Sequence, residues 1–390
     1  MTRIAILGAG SIGFAAAALL CAQGHAPVLW SPSGRRTRAL AGGAPLVAHG
    51  AVDGAFHPAV AASCEAALQG ADCVLIAVPG YGHRAVIEAA APHLRADQTV
   101  FFSSHMSFSA LLLHRLCPAP TIVAWGSTIV TARQTGATEV SISNIRGKLD
   151  AVVLPPGETT RGLDLCRALF GDHFTLRDGL LAIALSNVNP QCHLAIALCN
   201  LTRIEHGEVW RQYANITPAV GRLLEALDAE RLDLAAACGV QVRSVQEHFR
   251  LSFAARGADM GELARDLASR DTDPIAPATL DTRYVTEDVP FGLWPTICLG
   301  RAAGLPMPLH EAGVRMFSAL YGRDFPAEND ILPALGDPAD LIRTIGSRQG
   351  NRTWKSPDLR RGACAIRARS ILGPACRNPP EDMLDQFVAC

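Results

Sequence analysis

The sequence predicts an α/β protein in which a doubly wound, mostly parallel sheet is followed by an all-helical C-terminal domain. Three observations carry this reading. Short, wholly apolar runs alternate with helix-like stretches through the first half of the chain. A glycine cluster follows the first of these runs at once. From about residue 179 the texture changes to alanine, leucine and glutamate at helical spacing.

Taken in order, RIAILGAG (3–10) reads as a buried strand entering a glycine turn, and SIGFAAAALLCAQG (11–24) as an alanine-rich helix that ends at Gly24. APVLWS (26–31) is a second strand and DCVLIAVP (72–79) a third, followed by helix-like HRAVIEAAAPHL. TVFFSS (99–104), PTIVAW (120–125) and LDAVVLP (149–155) continue the strand pattern. Repeated βα units of this kind favour a parallel sheet. Beyond them, PAVGRLLEALDAERLDLAAACGV (218–240) places Val220, Leu223, Leu224, Leu227 and Leu234 on one helical face, with Gly239 suited to close the helix. The expected boundaries are an α/β domain at 1–178, an all-helical domain at 179–347, and a basic tail at 348–390. Between Asn351 and Arg377 the tail holds seven Lys or Arg and one acid, Asp358. Such a tail suits partial disorder or docking on a partner subunit, and a homodimer is compatible with it.

Composition excludes several classes of function. With 390 residues, 49% hydrophobic content, 18% charged residues and a net charge of -1, the chain is a globular protein without the basic balance of a nucleic-acid binder or a membrane-surface protein. Its apolar stretches fall short of the roughly 20 residues of a bilayer span, and no basic leader precedes the first strand. Twelve cysteines are scattered singly with no CxxC pair, so a disulfide framework and a zinc site are not expected. A cytoplasmic, metal-free protein is the expectation.

The first motif with chemistry is Gly8-Ala9-Gly10-Ser11-Ile12-Gly13. GxGxxG alone is weak, but here it joins a predicted strand to a predicted helix, the Rossmann-type context. Gly8 permits the tight turn, Gly10 lets backbone approach a pyrophosphate and Gly13 lets the helix pack on the strand, while free helix N–H groups face the anion. No acid precedes Asp53 to hold ribose hydroxyls; Ser31-Pro32-Ser33-Gly34-Arg35-Arg36 follows the second strand instead. Hydroxyls of Ser31 and Ser33 with two guanidiniums suit a 2′-phosphate, so NADP(H) is the preferred cofactor, with NAD(H) an admissible substitute. Val78 and Pro79, in the turn after the third strand, are expected to line it.

The second constellation is split. In SNVNPQCHLAIAL (186–198) an apolar run carries Asn189 and His193 four residues apart. A core histidine satisfied by a hydrogen bond is the bland explanation. Far downstream, Asp281-Thr-Arg283-Tyr284-Val-Thr-Glu287-Asp288 offers the missing parts. His193 can give or take a proton, Asp288 can fix its tautomer, and Arg283 can grip a carboxylate with paired hydrogen bonds. His105, at the end of a predicted strand, is a candidate substrate contact, and Tyr284 either shapes the pocket or is a core tyrosine with a satisfied hydroxyl. His310, near two prolines, reads as a helix-start residue rather than a ligand.

GAGSIG, LSNVNPQCH, DAERLDLAAACGV and RYVTEDVPFGLWP, in that order, resemble the octopine/nopaline dehydrogenase (opine dehydrogenase) family over roughly residues 3–345. The resemblance implies a Rossmann domain followed by a helical domain, with the active site in the cleft between them. It implies reductive condensation of an amino acid with a 2-oxo acid, pyruvate or 2-oxoglutarate, using NAD(P)H to reduce the imine. It further implies His193 as acid/base, Asp288 as its partner, Arg283 as a carboxylate binder and Asn189 as a polar site residue. LWSPSGRR resembles the NADP-preferring branch that includes crown-gall nopaline synthases; the basic tail departs from the family pattern.

Two other classes stay open at this level. Ketopantoate reductases and hydroxyacid dehydrogenases share the layout but use a lysine in the helical domain, and this chain has only Lys148 and Lys355. A non-catalytic NADPH-binding protein would keep the glycine motif without needing His193, Arg283 and Asp288.

Overall fold

The computed structural model describes residues 1–270 and 273–346. The basic tail expected at 348–390 lies outside the described residues. Among the described residues twelve strands form two sheets: β1 (Arg3–Leu7), β2 (Ala26–Trp30), β3 (Leu46–Gly50), β4 (Gly54–Phe56), β5 (Ala59–Val60), β6 (Cys73–Ile76), β7 (Thr99–Phe102), β8 (Thr121–Trp125), β9 (Val130–Gln134), β10 (Glu139–Ile145), β11 (Leu149–Leu154) and β12 (Phe174–Leu176). The larger sheet runs β12-β11-β8-β7-β6-β1-β2-β5, parallel throughout except for the β8–β11 pair. Its central strands are buried on both faces, and this is why their sequences are apolar without alternation. Chain order reverses at β1, which pairs with both β2 and β6, so the loops after β1, β6 and β7 gather beside one crevice.

The smaller sheet, β4-β3-β10-β9, was not foreseen. Its strands alternate: Val140 and Ile142 point inward while their neighbours face solvent. They pack against the helix Ser11–Ala22, which is buried nearly all round from Gly13 to Leu20. That helix needs no polar stripe because sheets cover both its sides, and each large side chain it hides contributes about 1.5–3 kcal/mol.

From Leu180 onward the described chain is helical apart from an isolated bridge between Arg211 and Ile275. The apolar stretch Leu180–Cys199 is longer than the sequence reading allowed, reaching 20 residues of mean hydropathy 1.2, and 78% of it is buried inside the fold. It is two core helices, Leu180–Ser186 and Asn189–Cys199, broken at Asn187-Val188. The segment with His193 is therefore the second helix after the sheet. The helix Pro218–Ala237 buries Val220, Leu224, Leu227 and Leu234, and Gly239 follows in the left-handed region (φ 69°). The same helix buries an ion pair: Arg231 meets Asp228 at 2.6 Å and also donates to the carbonyls of Leu185 and Arg243. The DAERLDL motif is thus a structural tie to the end of the Leu180–Ser186 helix.

Candidate functional site

The glycine turn fits a dinucleotide. Gly8 has φ 135°, open to glycine almost alone, and a Cβ there would run into the Ala77 carbonyl. A Cβ at Gly13 would collide with the Gly8 carbonyl, so helix and strand meet with nothing to spare. At Gly10 the space beyond the backbone is open, and its nearest boundary is Arg36 Nη1, 3.3 Å from where a Cβ would sit. The helix starting at Ser11 has no side-chain cap and no acid in its first turn, so its N–H groups remain for an anion. Ala9 is buried and Ile12 half-buried, while Ser11 accepts the Gln134 N–H at 2.9 Å and so ties β9 to the turn.

Beside this turn lies an open cavity of about 470 Å³ lined by Ser33, Arg35, Arg36, Ala39, Gln134 and Ala137. Arg35 and Arg36 are exposed, and neither pairs with an acid among the described residues. Ser31 Oγ is buried and has no partner among the described residues. Gln134 and Ala137 come from the unforeseen sheet, so the sequence reading missed them. Val78 and the exposed Pro79 form the turn into the helix Gly80–Ala90.

The helical segment supplies the second constellation. His193 Nδ1 lies 2.6 Å from Asp288 Oδ2, with the histidine 8% and the aspartate 2% exposed. Tyr284 stacks flat on the imidazole, ring centroids 3.6 Å apart and planes 9° apart, while its hydroxyl donates to Gln212 Oε1 at 2.5 Å. The Tyr284 hydroxyl is satisfied, as a core tyrosine's would be, while its ring lies against His193. Burial pushes the Tyr284 phenol up to about 12. His193 is thus held at Nδ1 and on one ring face, and Nε2 makes no hydrogen bond among the described residues.

Arg283 stands close by with its side chain 57% exposed. Its Nε faces Glu287 Oε2 at 3.4 Å, which raises its pKa further, and its terminal nitrogens make no hydrogen bond among the described residues. Glu287, given no role by the sequence reading, is 5% exposed. Burial raises its pKa, Arg283 opposes that, and Asp288 adds to it. Tyr81 was also missed. Partial burial and the Glu287 charge push its phenol up while Arg36 pulls it down, so it bridges the fields of the two constellations. Arg146, just past β10, is half-buried, and among the described residues it makes no ion pair and its Nε has no partner; burial first and then Arg283 lower its pKa.

Two expected residues stand apart. Asn189 opens the His193 helix and is half-buried; its backbone N–H donates to Asn187 Oδ1 at 3.1 Å, and no hydrogen bond joins its side chain to His193. His105 is 3% exposed, packs edge-on to Phe108 and lines a small cavity of about 30 Å³ with Asn187, Gln191 and Phe291. Neither of its ring nitrogens has a partner among the described residues, and burial lowers its pKa to about 3. Lys148 is exposed between β10 and β11, and Lys355 lies outside the described residues.

Residues 176–321 match the family described as NAD/NADP octopine/nopaline dehydrogenase, alpha-helical domain, and residues 4–151 match ketopantoate reductase PanE/ApbA. The chain is 30% identical over 341 residues to an opine dehydrogenase of Arthrobacter sp. (strain 1C), covering 85% of this chain and 94% of that one. It is 26% identical over 325 residues to the protein ocs of Agrobacterium vitis, covering 79% and 88%. A solved octopine dehydrogenase with NADH and L-arginine has a TM-score of 0.72 at 16% identity, over 90% of this chain and 100% of that one. A yersinopine dehydrogenase with NADP+ bound has a TM-score of 0.66 at 15% identity, over 88% and 99%. These structural likenesses are of fold.

Proposed function

The chain belongs to the opine dehydrogenase family, as an NAD(P)-dependent oxidoreductase acting on CH–NH groups, and from that premise we propose how its own residues divide the work. They join the amino group of an amino acid to a 2-oxo acid, pyruvate or 2-oxoglutarate, and the resulting imine is reduced to an N-(carboxyalkyl) amino acid. The observation that carries this reading is His193, held by Asp288 at 2.6 Å with Nε2 open, beside an arginine that spends only Nε on the protein.

The nicotinamide dinucleotide, when bound, supplies the hydride. Asp288 accepts the Nδ1 proton of His193, which fixes the ring's tautomer and orientation and leaves Nε2 to give and take the proton of the reaction. His193 can then protonate the departing hydroxyl as the imine forms, and hold the nitrogen's proton as it is reduced. Arg283 presents two free terminal nitrogens, the geometry for an end-on, two-bond grip on the 2-oxo acid carboxylate. Arg146, a half-buried cation without a counter-charge, would take the second carboxylate of the condensed substrate. Asn189 and His105 would act at the margin of this pocket.

Arg35 and Arg36 support NADPH over NADH, because a 2′-phosphate would give both arginines the partner that the protein withholds. Ser31 and Ser33 would add hydroxyl contacts. Two measurements test the proposal. NADPH oxidation across a grid of amino acids and 2-oxo acids, with each component alone, should require both; oxidation with the 2-oxo acid alone would replace this reading with a hydroxyacid dehydrogenase. Replacing Arg35 and Arg36 together by alanine should weaken NADPH by about 10- to 100-fold and leave NADH within threefold; equal losses for both would remove the 2′-phosphate assignment.

A further inference from the structure

Glu287 is the acid of the Arg283–Asp288 stretch that the chemistry above does not use. Its two oxygens point to two different tasks. Oε1 accepts the N–H of Gly80 at 3.1 Å, and Oε2 lies 3.4 Å from Arg283 Nε. Gly80 opens the helix after β6, in the turn expected to line the cofactor, 207 residues away in sequence. The approach there is tight, since a Cβ on Gly80 would come within 2.9 Å of Phe291.

The same stretch is pinned a second time. Ser107 Oγ donates to the Phe291 carbonyl at 2.8 Å, and Asn329 Nδ2 donates to both Ser107 Oγ (2.9 Å) and the Pro290 carbonyl (2.8 Å). Ser107 and Phe108 hold left-handed backbone, φ 48° and 61°, a conformation that costs energy in residues with side chains and persists when its surroundings enforce it. Residues 287–291 are thereby fastened to the loops leaving β6 and β7, while Glu287 alone among them also reaches the arginine.

We propose that Glu287 is a positioning residue that holds the cofactor turn and the substrate-carboxylate grip in one arrangement, so that filling either raises affinity at the other. The assignment of Arg283 under the proposed function is its premise. A carboxylate shared between two sites makes ordering at one of them cheaper once the other is ordered, and the coupling is reciprocal. A glutamine at 287 keeps an oxygen for Gly80 but loses the charge that orders Arg283; an alanine loses both contacts.

The test uses the full chain. NADPH affinity is titrated by fluorescence without and with the 2-oxo acid that supports turnover in the grid above, and amide exchange of the 78–84 peptide is followed by mass spectrometry. The parent should show coupling of about fivefold or more. Glu287→Gln should reduce the coupling to within twofold, with NADPH affinity alone within twofold and exchange of the peptide unchanged. Glu287→Ala should also speed that exchange about tenfold or more. A parental coupling in Glu287→Gln, or no coupling in the parent, overturns the proposal, as does slow exchange in Glu287→Ala. If the grid finds no condensation, the proposed function fails, while the exchange arm still reports on the Glu287–Gly80 tie without a substrate.

Discussion

Two buried histidine–carboxylate pairs share one helix's surroundings, and they have opposite characters. His193 meets Asp288 through Nδ1 at 2.6 Å; His310 meets Glu230 through Nδ1 at 2.7 Å. His310 is fully buried and its Nε2 is taken as well, by Gln191 Nε2 at 3.1 Å, two residues before His193 on the same helix. Glu230 also accepts the N–H groups of Leu309 and His310, closing the start of the helix Pro308–Tyr321. Burial would raise the Glu230 carboxyl, but the His310 and backbone hydrogen bonds outweigh it and leave it lowered. Every polar atom of the His310 ring is consumed by the protein, whereas His193 keeps one nitrogen open. A short histidine–carboxylate distance therefore says little about chemistry; the unspent nitrogen is what separates a tool from a tie.

The sharpest way to break this contrast is to delete each histidine. His193→Ala should lower imine reduction by about 10²–10⁴-fold per folded molecule, with NADPH affinity within threefold; retained turnover would make the two pairs equivalent. His310→Ala should do the reverse, costing about 3 kcal/mol of stability because Glu230 and Gln191 lose buried partners. Its turnover per folded molecule should stay within threefold of the parent, measured by denaturant titration alongside kinetics. A smaller effect concerns His83 and His105, buried without a carboxylate and lowered by burial to about 4 and 3. Both are neutral in the fold, and the unfolded chain takes up their protons below its pKa of about 6.5. The stability they permit is complete above pH 6.5 and declines as pH falls toward 4.5, by up to about 1.4 kcal/mol per pH unit per site. His105→Phe should flatten that decline in a melting series; an unaltered slope would mean His105 is protonated in the fold.

How much of this was legible depends on how far each signal reaches along the chain. β1, β2, β6, β7 and β8 announced themselves because strands buried on both faces leave apolar runs with no competing period. The β3-β4-β9-β10 sheet did not, since its strands are half-polar, although the alternation around Val140 and Ile142 was there to find. With it went Gln134 and Ala137 of the cofactor cavity. His193, Asp288 and Arg283 were legible as a pattern of residue types, but not the ring of Tyr284 laid on the imidazole. Glu287 lay within a quoted motif and still carried no role, because its partner is a backbone N–H on the far side of the sequence. DAERLDL marked the family, and only the folded chain explains it, as a buried guanidinium satisfied by Asp228 and two carbonyls.

The cavity proposed for the cofactor bears on arrival as well as on holding. Four arginines and no acid precede Asp53, and two of those arginines, 35 and 36, stand unpaired at its mouth. In a chain of net charge -1 this makes a local positive lobe on a nearly neutral molecule. A polyanionic dinucleotide drifting past is drawn toward that lobe over about a Debye length, roughly 8–10 Å at physiological salt. The arginines proposed to choose the phosphate would thus also set the tempo of its capture, and that tempo should slow as salt rises, while the hydrogen-bonded pairs deep in the fold should feel the salt hardly at all.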